Sequence, residues 1–175
     1  MDRRLAEAGY TVEGETCVLQ ANIESVRVAM PPREAGIEIK LQPYPSSKWL
    51  ASMSRLQDQT PEQSLAYQQI VSSIVLPAAF AEVLVDRNRV ALGYVVIHRG
   101  LLCYASIVTA VGQRRRGHAR RVVAALTKWA QANGASGACL QVEVDNKPAL
   151  TLYHAIGLSN EIYRYHYRRQ PAALM

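Results

Sequence analysis

The sequence predicts an α/β fold of the α+β kind, with one central sheet that is mixed but mostly antiparallel and has helices on both faces. Segments with strand or helix periodicity follow one another in the order β-α-α-β-β-β-α-β-α-β, after an additional N-terminal strand. Three of the strands are close enough in sequence to form an antiparallel meander, and the order lacks the regular βαβ alternation of a Rossmann domain. The 175 residues are 49% hydrophobic and 19% charged, which is typical of a folded domain.

The N-terminal part divides into an extension and a linker. Residues 1–28 are predicted to be an extension with one strand, Thr16–Ile23, which is identified by its apolar run. The segment Met30–Gly36 is the best linker candidate, because its prolines and glycine interrupt regular structure. The predicted organisation is therefore the extension, one domain over 29–170 and a tail over 171–175.

One strand and two helices are predicted at the start of the domain. Ile37–Leu41 alternates with period two, which indicates a strand. A serine cap at Ser46 begins a helix that runs to about Gln57. The next helix has Thr60 as its N-cap and Pro61 at its first position, with a glutamine placed to complete a capping box. This second helix carries Leu65, Ile70 and Ile74 and is expected to run to about Leu76.

The second half of the domain alternates strands and helices. A long helix is predicted from about Arg115 to Asn133, and a short helix over Lys147–Ile156. The apolar residues expected on the buried face of the long helix are Ala119, Val122, Val123, Leu126 and Ala130. The side chains that share one face of the last strand, and are expected to pack against the sheet, are Tyr163, Tyr165 and Tyr167. The predicted strands are Phe80–Asp86, Val90–His98, Leu101–Thr109, Ala138–Val144 and Ile162–Arg168.

The excess of positive charge is confined to one stretch. The chain has 20 Lys+Arg against 14 Asp+Glu, a net charge of +6. Residues 99–121 contain six arginines and no acid, so the rest of the chain is neutral. A generally basic surface is therefore excluded, and one local anion site is expected. The six residues are Arg99, Arg114, Arg115, Arg116, Arg120 and Arg121.

Several classes of protein are excluded. No apolar run approaches the roughly 18 residues of a membrane span, and the N-terminus lacks a signal-peptide core, so no membrane partner is predicted. Cys17, Cys103 and Cys139 are odd in number and widely spaced, which predicts a reducing, cytoplasmic environment without a disulfide framework. The histidines show no ligand spacing with cysteine or with each other, so no metal site is predicted.

The segment from Ile107 to Ala119 predicts an anion-binding loop. An apolar strand ends there, a loop with consecutive arginines follows, and a helix begins around Gly117. The free N–H groups and the dipole at a helix start attract anions, and small residues let a ligand approach the backbone closely. The segment therefore predicts a cradle for phosphate or pyrophosphate. It is neither a Walker loop nor a Gly-x-Gly-x-x-Gly loop.

The hexapeptide over residues 114–119, Arg-Arg-Arg-Gly-His-Ala, fits the pattern Gln/Arg-x-x-Gly-x-Gly/Ala. A long helix, a strand, Asn146, the pair Leu152-Tyr153 and Gly157 follow it. In this order and spacing the chain resembles the GNAT superfamily of acetyl-CoA-dependent N-acetyltransferases, most clearly over 101–158. The resemblance implies the GNAT fold and extends in general terms over residues 37–169. It is closest to bacterial members in which a second domain precedes the acetyltransferase domain, so the N-terminal extension is hypothesised to be a remnant of the joint to an upstream domain.

The resemblance implies acetyl-CoA as cosubstrate, no metal, and roles for individual residues. The backbone of Ile107, Val108 and Thr109 would pair with the pantetheine arm of CoA, and the N–H of Val108 would stabilise the oxyanion. Asn146 would contact the cofactor arm from the facing strand. The residues whose backbone N–H groups would hold the pyrophosphate are Arg114, Arg115, Arg116, Gly117, His118, Ala119 and Arg120.

Two residues are candidates for proton transfer. Tyr153 follows Asn146 by about two helical turns, so both can face one cleft, and the resemblance makes Tyr153 the general acid for the CoA thiolate. Some family members have a glutamate base where this sequence has Gln141, which cannot act as a base. Glu143 shares its strand face and is the candidate base, directly or through water. Purely structural roles also stay open for these residues. Tyr153 could be a half-buried core residue, Glu143 a surface residue and Asn146 a helix cap.

The leading interpretation is an N-acetyltransferase, a monomer or homodimer, in which a primary amine of a small molecule or peptide attacks acetyl-CoA directly in a ternary complex. The alternative is a non-catalytic acyl-CoA-binding or sensor domain, which Gln141 favours. A nucleic-acid-binding module would explain neither the Asn146–Tyr153 spacing nor the neutrality of the remaining chain, so no nucleic-acid partner is predicted. The resemblance implies that the acceptor enters through residues 43–74. Its candidate wall residues are Tyr44, Trp49, Tyr67 and Gln68.

Overall fold

The computed structural model describes residues 2–171 and contains one seven-stranded sheet over that range. The strands are β1 (Thr11–Asn22), β2 (Ile37–Gln42), β3 (Ala78–Val85), β4 (Asn88–His98), β5 (Leu101–Thr109), β6 (Gly137–Glu143) and β7 (Asn160–Arg169). The α-helices are α1 (Asp2–Glu7), α2 (Ser47–Leu56), α3 (Pro61–Ser72), α4 (His118–Ala132) and α5 (Lys147–Ala155). Most of the predicted tail lies outside the described residues, and no helix within them is long and apolar enough to span a membrane.

The predicted fold class is confirmed. The strand order is β2-β3-β4-β5-β6-β1-β7, and neighbouring strands are antiparallel except for β5 and β6, which are parallel. Helices α2 and α3 pack over one face through a cluster that includes Trp49, Met53 and Val71. Helices α4 and α5 pack over the opposite face through the larger core cluster, which includes Val122 and Tyr153. We name these two sides the α2/α3 face and the α4/α5 face.

Strand β1 lies inside the sheet rather than beside it. Cys17 pairs with Val142 of β6 on one side and with Arg164 of β7 on the other. Cys17 and Leu19 are almost completely buried on the α4/α5 face. The sheet therefore continues across the predicted boundary at residue 28, because β1 before it pairs with β6 and β7 after it. The strand is longer than predicted, because the polar residues before Thr16 carry no period-two pattern. Helix α1 was not expected either.

Helix α3 forms where it was predicted but ends earlier, at Ser72 rather than near Leu76. The capping box is present, since the Thr60 hydroxyl accepts from the N–H of Gln63 at 3.3 Å. Leu65 and Ile70 are 59% and 65% exposed. The residues of this helix that pack against the sheet are Tyr67 and Val71. Packing against the sheet therefore decides which apolar residues of α3 are buried.

The aromatic face of β7 is exposed, so the prediction that it packs against the sheet was wrong. Tyr163 and Tyr167 are 54% and 61% exposed. Strand β7 is an edge strand, and α1 contacts it on the opposite face, where Asp2 pairs with His166 and Arg168. The three tyrosines contact one another instead, with ring centroids 6.4 Å apart for Tyr163 and Tyr165 and 5.6 Å apart for Tyr165 and Tyr167.

Candidate active site

A cleft opens where the two parallel strands separate. Strands β5 and β6 pair from Leu101 and Gly137 as far as Tyr104 and Leu140. Both strands continue beyond this point without pairing to each other. The gap is a cavity of about 200 Å³ lined by both strands and by helix α5. The end of a paired region thus provides a slot in the middle of the sheet.

A bulge in β5 causes the separation. Leu92 pairs with Val108 and Tyr94 pairs with Ala105, so the single residue Gly93 of β4 faces two residues of β5. One of these two, Ser106, has a φ of +51°, which is uncommon for a residue other than glycine. A side chain in that region costs about 1–3 kcal/mol and persists where the surroundings enforce it, often at functional sites.

Gly93 accommodates the bulge. A Cβ atom at this position would lie 2.4 Å from Cδ1 of Ile107 and 3.0 Å from Cγ1 of Val122. Ile107 therefore packs over the bare backbone of β4 and against α4. A glycine inside a strand pattern is a sequence signal for a bulge or a close approach, and this one was overlooked. Ser106 carries no such signal, because serine is common in ordinary strands and loops.

The loop before α4 has the backbone geometry of an anion site. Arg115 has a φ of +63° and Gly117, the N-cap of α4, has a φ of +76°. Left-handed residues next to right-handed ones turn successive N–H groups toward one side, which forms a concave nest for anions. The first intrahelical bond of α4 runs from the N–H of Arg121 to the carbonyl of Gly117, so the earlier N–H groups point out of the helix. The helix begins at His118, directly after the predicted start signal at Gly117 and three residues after the approximate start predicted at Arg115.

Only part of the predicted basic stretch belongs to this loop. Arg114, Arg115, Arg116 and Arg120 are exposed around the start of α4. Arg121 is buried, donates to the carbonyls of Pro31 and Pro32 at 3.2 and 2.7 Å, and forms an ion pair with Glu34. It therefore holds the 30–36 segment against α4. Arg99 lies in the turn before β5, at the opposite end of that strand from the loop.

The side chain of His118 is not available to an anion. It is buried, and neither ring nitrogen has a hydrogen-bond partner among the described residues. Burial, and next the positive charge of Arg121, lower its pKa, so the imidazole is neutral at pH 7. His118 can therefore contribute only its backbone N–H to the predicted anion site.

Several polar atoms around the cleft and loop lack partners within the protein. The hydroxyl of Thr109 and the side-chain carbonyl of Gln113 are buried without a hydrogen bond to any described residue. A buried polar atom without a partner costs about 1–3 kcal/mol. Both lie between the end of β5 and the start of α4, along the path from the cleft to the nest. Both atoms are therefore available to a ligand that would extend from the cleft to the loop.

Tyr153 and Asn146 face the same cavity, as their spacing predicted. Burial is the main cause that raises the pKa of Tyr153 to about 12, so its hydroxyl is protonated at neutral pH. Asn146 is the N-cap of α5, and its Oδ1 accepts from the N–H of Ala149 at 3.2 Å. The capping alternative is therefore confirmed for Asn146, while its amide NH₂ keeps its donors for another partner.

Gln141 and Glu143 also line the cavity, on the exposed end of β6. The Tyr165 hydroxyl donates to Oε1 of Gln141 at 2.7 Å, which fixes the orientation of this amide. No local pattern predicts this contact, since β1 lies between the two strands that carry the pair. Glu143 remains exposed at the cavity edge, where water can reach it.

The predicted acceptor wall is only partly formed. Trp49 is completely buried and its Nε1 donates to the carbonyl of Ala81 at 3.0 Å, so it is a core residue. Tyr44 is exposed in the loop before α2. Tyr67 lies over the bulge, with its hydroxyl beside Ser106. This hydroxyl has no hydrogen-bond partner among residues 2–171. Burial raises the pKa of Tyr67.

Several known proteins are similar to this chain in sequence or in fold. Residues 1–168 match the family described as "Probable histone acetyltransferase Rv0428c C-terminal". The chain is 30% identical over 168 residues to the "Uncharacterized N-acetyltransferase YobR" of Bacillus subtilis (strain 168), a match that covers 96% of this chain and 67% of that protein. It is similar in structure to a GCN5-related N-acetyltransferase from Kribbella flavida, with a TM-score of 0.68 and 18% identity over 99% of this chain and 64% of the other. It is also similar to the aminoglycoside N-acetyltransferase AAC(6')-Iy solved in complex with CoA, with a TM-score of 0.61 and 16% identity over 81% of this chain and 100% of the other.

The fold, the cleft and these matches define an acetyltransferase of the GNAT superfamily. Within that superfamily, the chain belongs to the family of the Rv0428c C-terminal domain. It spans about two thirds of the length of the Bacillus and Kribbella relatives, at 67% and 64%. The activity, substrates and partners of a longer protein are therefore a separate question from those of this domain.

Proposed function

We propose that this domain transfers the acetyl group of acetyl-CoA to a primary amine of a small molecule or peptide by direct attack in a ternary complex. The observation that supports this most is the arrangement around one cleft. The bulged end of β5, the nest before α4 and the Tyr153 hydroxyl surround the gap between β5 and β6. Together they supply a slot, an anion site and a proton donor in one continuous region.

CoA would lie along the end of β5 and reach the start of α4. The backbone of Ile107, Val108 and Thr109 would pair with the pantetheine arm, as an added strand pairs with an exposed edge. The N–H groups around Gly117 would bind the pyrophosphate, and exposed arginines would raise the local potential. Asn146 would contact the arm from the opposite wall. The unpartnered Thr109 hydroxyl supports this path.

The attacking amine needs to lose a proton. A lysine-like amine with a pKa near 10.4 is about 3.4 units above pH 7, which costs about 4.6 kcal/mol. Glu143 stands at the cavity edge and would accept this proton, directly or through water. Gln141 is held by Tyr165 and has no titratable group, so it cannot replace Glu143. The ammonium form would therefore be deprotonated from the open, solvent-exposed side of the cleft.

The tetrahedral intermediate would be stabilised by a backbone N–H of β5, which we assign to Val108. Collapse of the intermediate releases the CoA thiolate, and Tyr153 would donate a proton to it. Because Tyr153 remains protonated at neutral pH, it is in the correct state for this step. No covalent enzyme intermediate is needed, since the amine attacks the thioester itself.

Thiol release from acetyl-CoA tests this function across a panel of polyamines, amino acids, aminoglycosides and peptides. We expect at least one amine to trigger stoichiometric release with formation of its acetamide. The alternative, a non-catalytic acyl-CoA sensor, is favoured by the glutamine at position 141. It would be supported if acetyl-CoA binds but no amine causes CoA release, and if Tyr153→Phe changes nothing. Glu143→Gln, measured in parallel, should reduce the rate with every active amine.

A further inference from the structure

Two cysteines face each other at the closed end of the cleft. Cys103 of β5 and Cys139 of β6 are direct partners in the parallel register. Their Sγ atoms are 3.1 Å apart, and neither side chain is fully buried. They come one pair before Tyr104 and Leu140, where the pairing of the two strands ends. The proposed acetyl transfer uses neither thiol.

Both thiols lie on the α2/α3 face. Tyr104 is buried on the opposite face, where its hydroxyl bonds to Thr127 of α4 at 2.7 Å. Because side chains alternate along a strand, Cys103 points the other way, and so does Cys139 between the buried Ala138 and Leu140. Helices α2 and α3 pack mainly over the other half of this face, around β3 and β4, so small reagents can reach the pair.

The backbone already has the spacing of a disulfide. Neighbouring strands lie about 4.7–4.9 Å apart, within the roughly 4.4–6.8 Å between Cα atoms that a disulfide spans. A bond needs a sulfur separation of about 2.05 Å, so the two Sγ atoms have to approach by about 1 Å. Side-chain rotation supplies a movement of this size without separation of the strands.

The chemistry of the pair is asymmetric. The hydrogen bond from Cys139 lowers the pKa of Cys103 to about 7, so a large fraction of this thiol is ionised at neutral pH. The same contact raises the pKa of Cys139, because a second thiolate beside the first is unfavourable. We assign Cys103 as the attacking thiol and Cys139 as the thiol that reacts second, an order that the single-cysteine variants below test.

We propose that Cys103 and Cys139 form a reversible dithiol–disulfide site that low-molecular-weight disulfides oxidise. The Cys103 thiolate attacks one sulfur of the small disulfide and displaces one thiolate, which leaves a mixed disulfide on Cys103. Cys139 then loses its proton and attacks the Cys103 sulfur, and the second small thiol leaves. Two protein thiols become one disulfide, while the small disulfide is reduced to two thiols.

The new bond would join β5 and β6 at the point where they begin to separate. It would close a loop over 36 positions that contains all of α4. The cross-link restricts the unfolded chain, so the oxidised domain is expected to unfold at a higher temperature than the reduced domain. The site requires only the register and the thiols, and it stands whether or not the proposed acetyl transfer is correct.

The test is oxidation of the whole purified domain by excess oxidised glutathione, followed by thiol titration under denaturing conditions and intact mass. We expect three titratable thiols before oxidation and one afterward, with a mass lower by two hydrogen atoms. The remaining thiol should map to Cys17, which is buried and directed at the Val142 carbonyl. A reducing dithiol should restore all three thiols.

Matched variants separate this site from general thiol reactivity. Cys103→Ser and Cys139→Ser should each lose the intramolecular bond, and Cys139→Ser should instead accumulate a mixed disulfide with glutathione on Cys103. Cys17→Ser should still lose two thiols on oxidation. The proposal is overturned if the wild-type domain keeps three thiols, if it forms disulfide-linked dimers, or if glutathione remains attached to both Cys103 and Cys139.

Discussion

At the scale of single residues, Tyr153 combines burial with a place on the cavity wall. Burial raises its pKa to about 12, which keeps the proton on its oxygen throughout the physiological range. A phenol that holds its proton in this way can donate it to a strongly basic leaving group. Glu143 is the opposite case, a carboxylate at the water-exposed edge of the same cavity.

Tyr153→Phe should lower kcat by about 100-fold or more, because general acid catalysis contributes about 10²–10⁴-fold. The ring is retained, so the packing of α5 and the affinity for acetyl-CoA should change little. Steady-state kinetics with the best amine and a direct binding measurement together test this. Equal kcat values for the wild type and Tyr153→Phe would remove Tyr153 from the mechanism.

Alkaline pH should destabilise the fold through buried tyrosines. The pKa of Tyr153 is about 12 in the folded chain against 10 as its ordinary value, so the folded state holds this proton more tightly. The stabilisation is complete below pH 10 and is lost as the pH rises from 10 to 12, by up to about 2–3 kcal/mol. Urea unfolding at pH 9, 10 and 11 measures this loss. Tyr153→Phe should reduce the pH dependence without abolishing it, because burial also raises the pKa of Tyr67, Tyr94 and Tyr104. Tyr163→Phe, at an exposed site, is the matched control.

At the scale of elements, the cleft depends on how β4 and β5 fit together. A bulge needs room on the neighbouring strand, and Gly93 provides it by leaving space for Ile107. The strained conformation of Ser106 is then enforced from both sides, by β4 and by the packing of α4. The opening between β5 and β6 is thus a property of strand pairing rather than of loop length.

Gly93→Ala should destabilise the domain by about 1–3 kcal/mol, because the new methyl group would overlap Ile107. Acetyl-CoA affinity should fall as well, since the bulge has to shift. Chemical unfolding and a binding titration measure the two effects. The control is Gly112→Ala, because a Cβ at Gly112 meets no atom within 4 Å. Similar affinities for the two variants would argue against a role of the bulge in binding.

The sequence could predict the elements whose signals are local. The capping box at Thr60 and the glycine that begins α4 are examples, because a cap depends on residues only a few positions away. The Asn146–Tyr153 spacing located one wall of the cleft for the same reason. The place of β1 could not be predicted, since it depends on pairing with strands more than 100 residues later. The bulge at Ser106 and the contact between Tyr165 and Gln141 are tertiary in the same sense.

At the scale of the whole molecule, β1 links the two ends of the described chain. It separates β6 from β7 and buries Cys17 and Leu19 in the main core. The segment before residue 28 is therefore part of the structure that holds the cleft, because β6 forms one cleft wall.

Leu19→Ala should cost about 2–5 kcal/mol of unfolding free energy, the range for leucine truncation in a well-packed core. Leu65→Ala, on the exposed side of α3, should cost less than about 0.5 kcal/mol. Urea unfolding of both variants at pH 7 provides the comparison. A change below 1 kcal/mol for Leu19→Ala would show that β1 adds little to the core.

The central claim is that acetyl-CoA binds in the β5–β6 cleft with its phosphates at the start of α4. Calorimetric titration of acetyl-CoA into the wild type, the triple variant Arg114→Ala/Arg115→Ala/Arg116→Ala and the single variant Arg99→Ala tests this most directly. We predict that the triple variant binds at least about 10-fold more weakly, a loss of about 1.4 kcal/mol or more, while Arg99→Ala binds like the wild type. No binding to the wild type, or equal affinity for the triple variant, would contradict the claim.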